Sequence, residues 1–210
     1  MYTSRMLLLL VRHAVTPVTG KKLTGWLPGF SLSEAGRQRA AELAETLAPA
    51  PLKAIYSSPL ERCRETAEPI ARSHKLKVKI NQNLGEVHYG EWQGRSLKSL
   101  YRTKAWGELR ARPADFRFPG GETIREAQAR GVAEVERLRV KHAGEVVLVC
   151  SHADLIRLVV SGYLGLAIDL YDRITVPTAS VTTLWLGDAR PRLLNLGAGE
   201  KFDELWRRFS

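Results

Sequence analysis

Apolar and polar positions along the chain switch between two periods. Residues 7–11, Leu-Leu-Leu-Leu-Val, form a continuous apolar run, the pattern of a short strand covered on both faces. Residues 31–48 place Ala40, Leu43, Ala44 and Leu47 on one helical stripe, with Ser33 as N-cap and Pro49 and Pro51 as stops. Residues 53–59 read as a second strand. Residues 60–74 read as a helix that Pro69 should kink or divide, because proline has no amide proton and its ring clashes with the preceding turn. Residues 76–82 alternate like a half-exposed strand. Helical period returns over residues 122–142, with Ile124, Ala127, Gly131, Val135 and Leu138 on one stripe. Residues 145–152 are the second clear buried strand, and 153–166 a mostly apolar helix. Residues 179–187 and 191–197 read as a final hairpin, and 200–210 as a short amphipathic helix or frayed end.

Residues 83–121 break the rhythm. They hold Gly85, Gly90, Trp92, Gly94, Tyr101, Trp106 and the breaker cluster Arg-Phe-Pro-Gly-Gly-Glu at 117–122. Loops and short helices are expected there, as a small inserted lid. The remaining alternation of strands and helices predicts one α/β domain over residues 1–210. Its expected architecture is a three-layer α/β/α sandwich with a mainly parallel central sheet.

Composition narrows the function. The chain has 210 residues, 44% apolar and 26% charged, which suits one globular domain with a sizeable core. The apolar run of residues 6–11 is shorter than a signal-peptide core, and no A-x-A-like cleavage site follows it. A cytoplasmic location is therefore expected. Lysine and arginine exceed aspartate and glutamate by ten. The cations are scattered beside glutamates rather than gathered in a patch interleaved with aromatics. The sequence thus favours small acidic substrates over nucleic acid or a membrane surface. Cys63 and Cys150 stand in unlike contexts and read as buried thiols, not as a metal or disulfide framework.

The chemistry gathers where the strands end. The first strand runs into Arg12 and His13, and the strand at 145–152 runs into Ser151 and His152. The strand at 53–59 leads into a helix whose first turn holds Glu61 and Arg62, and Glu86 follows the next strand. Sheets of this type bind ligands beyond the carboxyl ends of their strands. Each residue alone has an ordinary reading: a hydrogen-bonded structural histidine, a surface arginine, a solvated loop acid. Together they form the parts for phosphoryl transfer. Arginines bind tetrahedral oxyanions through a fixed fork of donors. A neutral imidazole can carry a covalent intermediate. A carboxylic acid can protonate a leaving oxygen. Two rivals use the same residues: a binding or regulatory protein without turnover, and a metallohydrolase with His13, His152 and Glu86 as ligands. The His-x-x-x-His spacing of a helical metal site is absent, and no metal is expected.

The motifs in order resemble the histidine phosphatase superfamily, in its phosphoglycerate-mutase-like phosphatase branch, over almost the whole chain. Val-Arg-His-Ala-Val-Thr at 11–16 resembles the family's Arg-His-Gly signature. Tyr-Ser-Ser-Pro-Leu-Glu-Arg at 56–62 resembles its Ser-Pro-x-x-Arg segment, and Leu-Gly-Glu-Val-His-Tyr-Gly at 84–90 its acid-bearing loop. Pro-Gly-Gly-Glu-Thr at 119–123 and Cys-Ser-His-Ala-Asp at 150–154 match two further motifs. The resemblance implies that His13 accepts the phosphoryl group, that Arg12, Arg62 and His152 hold its oxygens, and that Glu86 donates the proton. Glu91 and Glu122 compete for that last role. Thr19 stands where the family often has a phosphate-contacting Asn, and Thr24 is a further candidate for substrate binding. Ala14 and Ala153 replace the usual glycines, and Val15 a common acidic residue.

The implied enzyme is a metal-independent phosphatase acting on a small-molecule phosphate ester, with no cofactor; a homodimer is compatible with it. The short segment 94–119 favours hydrolysis over cofactor-dependent phosphoglycerate mutation. Its Arg95, Lys98, Arg102, Lys104, Arg110, Arg112 and Arg117 make either a charge-selecting lid or a solvated helix face.

Overall fold

The central strand of the sheet is β1 (Met6–Arg12), which has apolar neighbours above and below. This computed structural model describes residues 5–187 and 190–198, so the tail expected as a helix at 200–210 lies outside the described residues. The other strands are β2 (Leu52–Ser57), β3 (Val78–Ile80), β4 (Glu145–Ser151), β5 (Val181–Leu186) and β6 (Arg192–Ala198). They are ordered β3-β2-β4-β1-β5-β6. The first four in that order are parallel; β5 runs antiparallel to β1, and β6 returns beside β5 as the expected hairpin.

The helices are α1 (Glu34–Leu47), α2 (Glu61–Ser73), α3 (Leu97–Leu100), α4 (Lys104–Ala111), α5 (Ile124–Lys141) and α6 (Ala153–Leu164). Alternation along β1 builds the three layers. Leu7, Leu9 and Val11 pack with Leu43 and Leu47 of α1 and Ile70 of α2. Met6, Leu8 and Leu10 pack with Val135 of α5 and Ile156 and Val159 of α6. Successive strand side chains point to opposite faces, so an uninterrupted apolar run serves two cores at once. Truncating Leu9 to Ala in this setting is expected to cost about 2–5 kcal/mol of stability.

Ser33 caps α1, accepting from the Gly36 amide. Thr123 and Glu126 form a reciprocal capping box at the start of α5. Gly36 lies so close to the Val15 carbonyl that a β-carbon there would collide with backbone, which lets α1 start directly against the segment after His13. Of the two effects expected of Pro69, division does not occur: α2 is continuous from Glu61 to Ser73. The lost backbone bond is outweighed by burial of the adjacent Ala67, Ile70 and Ala71 in the core. The edge strand is also shorter than the alternation at 76–82 suggested, reduced to Val78–Ile80.

The segment 83–121 has its own packed interior. Tyr89, Trp92, Leu100, Leu109 and Phe118 form a third apolar cluster with Ile124 of α5 and Leu158 of α6. Trp106 lies against Trp92 at 5.8 Å, and Tyr101 packs on Trp106 at 4.7 Å. Through the cluster that includes Trp92 and Phe118 this segment packs against Ile124 of α5 and Leu158 of α6. Its inner edge is zipped to the loop after β1: Leu23 donates to the Arg95 carbonyl, Gly94 to the Leu23 carbonyl and Leu97 to the Lys21 carbonyl, at 2.7–3.0 Å.

Among the described residues, no helix is long and apolar enough to cross a membrane.

Candidate active site

Three parallel strands end side by side. Arg12 on β1 is in register with Ser151 on β4, and Ser57 on β2 with Cys150 on β4. The ladder continues one residue further, with His13 donating to the Ser151 carbonyl at 2.9 Å and Ser58 to the Cys150 carbonyl at 3.0 Å. The strand ends thus deliver Ser58, His152 and His13 in a row. A cavity of about 180 Å³ opens beside them, and its lining includes Arg12, His13, Thr19, Thr24, Arg62 and Glu86. Six of the seven residues expected at the site therefore share one cavity. A larger concavity, about 690 Å³, lies on the outside of α1 and α2 near Ile80, but its lining holds no histidine and none of the seven expected site residues.

The imidazole of His13 is oriented by its own neighbour. Nδ1 lies 2.7 Å from the Ala14 carbonyl, which can only accept, so Nδ1 carries the proton and Nε2 the free lone pair. Burial, reinforced by the Arg62 charge, pushes the His13 pKa down to about 3, so the ring is neutral at ordinary pH. The backbone after it is also fixed. Ala14 donates to Thr66 Oγ1 at 3.0 Å, and that hydroxyl donates to the Arg62 carbonyl at 2.7 Å. One threonine therefore ties the histidine loop to the helix turn that carries Arg62.

Arg62 is 1% exposed, so it is no surface residue. Its Nη2 donates to the Gly25 carbonyl at 2.8 Å and to Nδ1 of His152 at 3.1 Å. Gly25 adopts a left-handed conformation, φ +52°, that turns the loop there. Nε and Nη1 of Arg62 and Nε of Arg12 are buried with no protein acceptor among the described residues. Permanently charged donors buried in this way are costly unless an anion meets them.

His152 does not line the cavity. It is fully buried, edge-on to His13 with ring centroids 5.3 Å apart. A guanidinium can only donate, so Nδ1 of His152 is the acceptor and Nε2 carries the proton, donated to Ser58 Oγ at 2.8 Å. The thiol of Cys63 lies 3.3 Å from the same nitrogen. Burial, with the Arg62 charge, holds the His152 pKa well below the ordinary value. In this state His152 touches Arg62 rather than the cavity.

Glu86 is buried at the cavity wall, its Oε1 accepting from the Val87 amide at 3.0 Å. Burial, with the nearby Asp154 carboxylate, raises its pKa to about 7. Its two competitors are elsewhere. Glu91 is exposed, and Glu122 pairs with Arg130 at 2.7 Å; neither lines the cavity. Thr19 contributes a hydroxyl to the lining while accepting the Thr16 amide at 2.9 Å. Ala153 lines the wall, and Ala14 is buried behind His13. Both cysteines are buried free thiols. No group of three or more His, Cys, Asp or Glu side chains is arranged to hold a metal ion among the described residues.

Several site residues escaped the sequence reading: Ser58, Thr66, Lys22, Tyr89 and Asp154. Tyr89 donates to Asp154 Oδ2 at 2.6 Å, and Arg157 to its Oδ1 at 2.8 Å. Ser58 and Asp154 carried a usable signal, since both follow strand ends. Tyr89 and Lys22 sit in loops whose approach to the cavity depends on tertiary packing. The seven cations of the insertion are all exposed, and none lines the cavity.

Known proteins share this fold. The chain is 29% identical over 194 residues to phosphoserine phosphatase 1 of Hydrogenobacter thermophilus, covering 90% of each chain. It is 34% identical over 156 residues to phosphoglycerate mutase-like protein 4 of Arabidopsis thaliana, covering 71% of this chain and 67% of that protein. The structure of a mycobacterial glucosyl-3-phosphoglycerate phosphatase superposes with a TM-score of 0.83 at 26% identity, covering 93% of this chain and all of that one. The family described as histidine phosphatase superfamily (branch 1) matches residues 8–199, and the chain belongs to it.

Proposed function

We propose that this chain is a phosphohydrolase that cleaves a small-molecule phosphate monoester through a phosphohistidine on His13. The observation that carries this reading is the pairing of a neutral His13, its free Nε2 left by the Ala14 bond, with a carboxyl group on the same cavity whose pKa is raised to about 7. A nucleophile that is never protonated near neutrality and an acid that still is are the two halves of a displacement at phosphorus.

In the first step the Nε2 lone pair attacks phosphorus, the N–P bond forms and the P–O bond to the alcohol breaks. Glu86 gives its proton to the departing oxygen. Arg12 and Arg62 supply fixed donors to the phosphoryl oxygens as charge spreads over them, through atoms without a protein partner among the described residues. In the second step Glu86, now a carboxylate, takes a proton from water. That water attacks phosphorus, the N–P bond breaks, and orthophosphate and neutral His13 are restored. His152 supports this reaction through Arg62, whose Nη2 it holds.

Phosphatase relatives and the short segment 94–119 favour water as the second acceptor. The alternative acceptor is a phosphoglycerate, which would make the chain a mutase. The deciding experiment is a screen of phosphate monoesters for phosphate release in excess chelator, with 3-phosphoglycerate assayed in parallel for conversion to 2-phosphoglycerate in the presence of a bisphosphoglycerate primer. Phosphate release with little isomerisation is expected. Rapid interconversion of the two phosphoglycerates makes the mutase reading primary, and no turnover of any ester leaves a phosphate-binding protein.

A further inference from the structure

The loop that carries Glu86 is gripped through its backbone carbonyls by a side chain of α5. Arg130, on α5, donates through Nη1 to the carbonyls of Asn83 at 2.8 Å and Gly85 at 3.1 Å. Through Nη2 it donates to the carbonyl of Glu86 itself at 3.2 Å. Glu122 holds the same guanidinium, 2.7 Å from Nη2 and 3.4 Å from Nε, and accepts the His88 amide at 2.9 Å. The indole Nε1 of Trp26 makes a second bond to the Glu86 carbonyl at 2.6 Å. Gly85 lies against that indole so closely that a β-carbon would collide with the ring. The backbone on both sides of Glu86 is therefore pinned.

We propose that Arg130 is a positioning residue for proton donation: it holds the acid loop by its carbonyls, with Glu122 aligning the guanidinium, so that the Glu86 carboxyl stays at the cavity. This rests on the reading of Glu86 as the proton donor. The physical case has three parts. First, this stretch has no regular ladder to satisfy its carbonyls, and a planar fork spans several of them from separate nitrogens in fixed directions, which a compact ammonium does not. Second, proton donation needs hydrogen-bond reach, and a misplacement of about 1 Å can cost roughly a hundredfold. Third, the Arg130–Glu122 pair is largely shielded, with side chains 18% and 13% exposed, so it is not one of the solvated surface pairs that contribute little. The ordinary alternative is a tie that adds stability alone. It differs in one observable, because a stability tie has no preference between leaving groups.

The test uses the full chain as Arg130→Gln, Arg130→Lys, Glu86→Gln and the double variant Glu86→Gln/Arg130→Gln. Each is assayed on an alkyl phosphate, whose alkoxide needs a proton to leave, and on nitrophenyl phosphate, whose phenolate does not. The readout is the ratio of the two rates in one preparation, from which any misfolded fraction cancels. Arg130→Gln is expected to lower the alkyl-to-nitrophenyl ratio by roughly tenfold or more, with Arg130→Lys in between. The double variant should be no worse than Glu86→Gln on the alkyl ester, since position ceases to matter once the donor is gone. An unchanged ratio in Arg130→Gln, or additive losses in the double variant, overturns the proposal while leaving Glu86 as the acid. An unchanged ratio in Glu86→Gln itself overturns the proton-donor reading and this proposal with it.

Discussion

His13 donates its Nδ1 proton to the carbonyl of Ala14 at 2.7 Å, and this one bond leaves Nε2 as the ring nitrogen with the free lone pair. Only Nε2 is left to attack. The phosphoenzyme should therefore carry phosphorus on Nε2, and a rapidly quenched reaction should yield an acid-labile, alkali-stable adduct. Phosphorus NMR of the denatured adduct distinguishes the two ring isomers, and His13→Ala should abolish it. An adduct on Nδ1, or substantial turnover by the alanine variant, would show that the nucleophile is misassigned.

Arg62→Ala removes a buried cation that bonds Gly25 and His152 and whose Nε and Nη1 have no protein partner among the described residues. Losing such a contact in the transition state is expected to cost about 3 kcal/mol, roughly a hundredfold in kcat/KM. Lysine should recover little, because a compact ammonium cannot span the separate sites that the guanidinium nitrogens reach. Rates within about twofold of the parent would reduce Arg62 to a structural residue.

Ser58 acts one bond further out. Its hydroxyl accepts the Nε2 proton of His152 at 2.8 Å, which keeps Nδ1 free to receive Arg62. Ser58→Ala leaves that proton with only the Cys63 sulfur, a weak acceptor. The expected loss is roughly tenfold in kcat, the scale of a buried hydrogen bond of about 1 kcal/mol or slightly more. Nitrogen NMR of the imidazoles should show the His152 tautomer redistributed while that of His13 is unchanged. A variant with parental kinetics and an unaltered His152 signal contradicts the positioning role.

The strand-end residues were legible because one rule links them: in a parallel sheet, whatever follows a buried strand arrives at the same edge. Arg12, His13, Arg62 and Glu86 were found in this way, and the geometry brings all four to one cavity. What stayed hidden is contact across the sequence. Nothing in Ser-Ser-Pro says that Ser58 reaches His152, ninety-four residues on. Nothing in the α5 stripe marks Arg130 as the grip on residues 83–86, since an arginine between apolar positions reads as a solvated one. Pro69 leaves α2 undivided for a related reason: its local effect is written in the sequence, but the core packing around Ala67, Ile70 and Ala71 that keeps the helix continuous is not.

The cationic insertion offers a sharper case. Arg95, Lys98, Arg102 and Arg112 are exposed and do not line the cavity, whereas Lys22 is the exposed cation in its lining. Neutralising those four together should change kcat/KM by no more than about threefold at physiological salt, where screening over about 8 Å weakens remote charges. Lys22→Met should raise KM more for a substrate with a second anionic group than for nitrophenyl phosphate. If the fourfold variant shows the larger substrate-selective loss, the insertion selects charge from outside the cavity.

Glu86 should control both the pH profile and the stability, with opposite benefits. Its pKa stands near 7, raised chiefly by burial and then by Asp154. Proton donation therefore fails as pH rises through about 7, while His13, with a pKa near 3, stays a competent nucleophile well below that. The alkyl-to-nitrophenyl rate ratio should be flat from about pH 4 to 6 and fall above 7, and taking the ratio cancels the similar ionisation of the two phosphates. Folding has the opposite interest. The unfolded carboxyl titrates near 4.5 and the folded one near 7, so the folded state binds the proton more tightly. Below 4.5 both states are protonated and no penalty exists; the penalty grows between 4.5 and 7 and is complete above 7. Glu86→Gln keeps an acceptor for the Val87 amide and removes the charge. It should therefore raise Tm relative to the parent by on the order of 5 °C at pH 8, with the gain shrinking toward zero at pH 4. Thermal melts of the two proteins across that range test the sign. A pH-independent difference would mean that Glu86 is not held protonated by its surroundings, and the fall of the rate ratio above pH 7 would then need another acid.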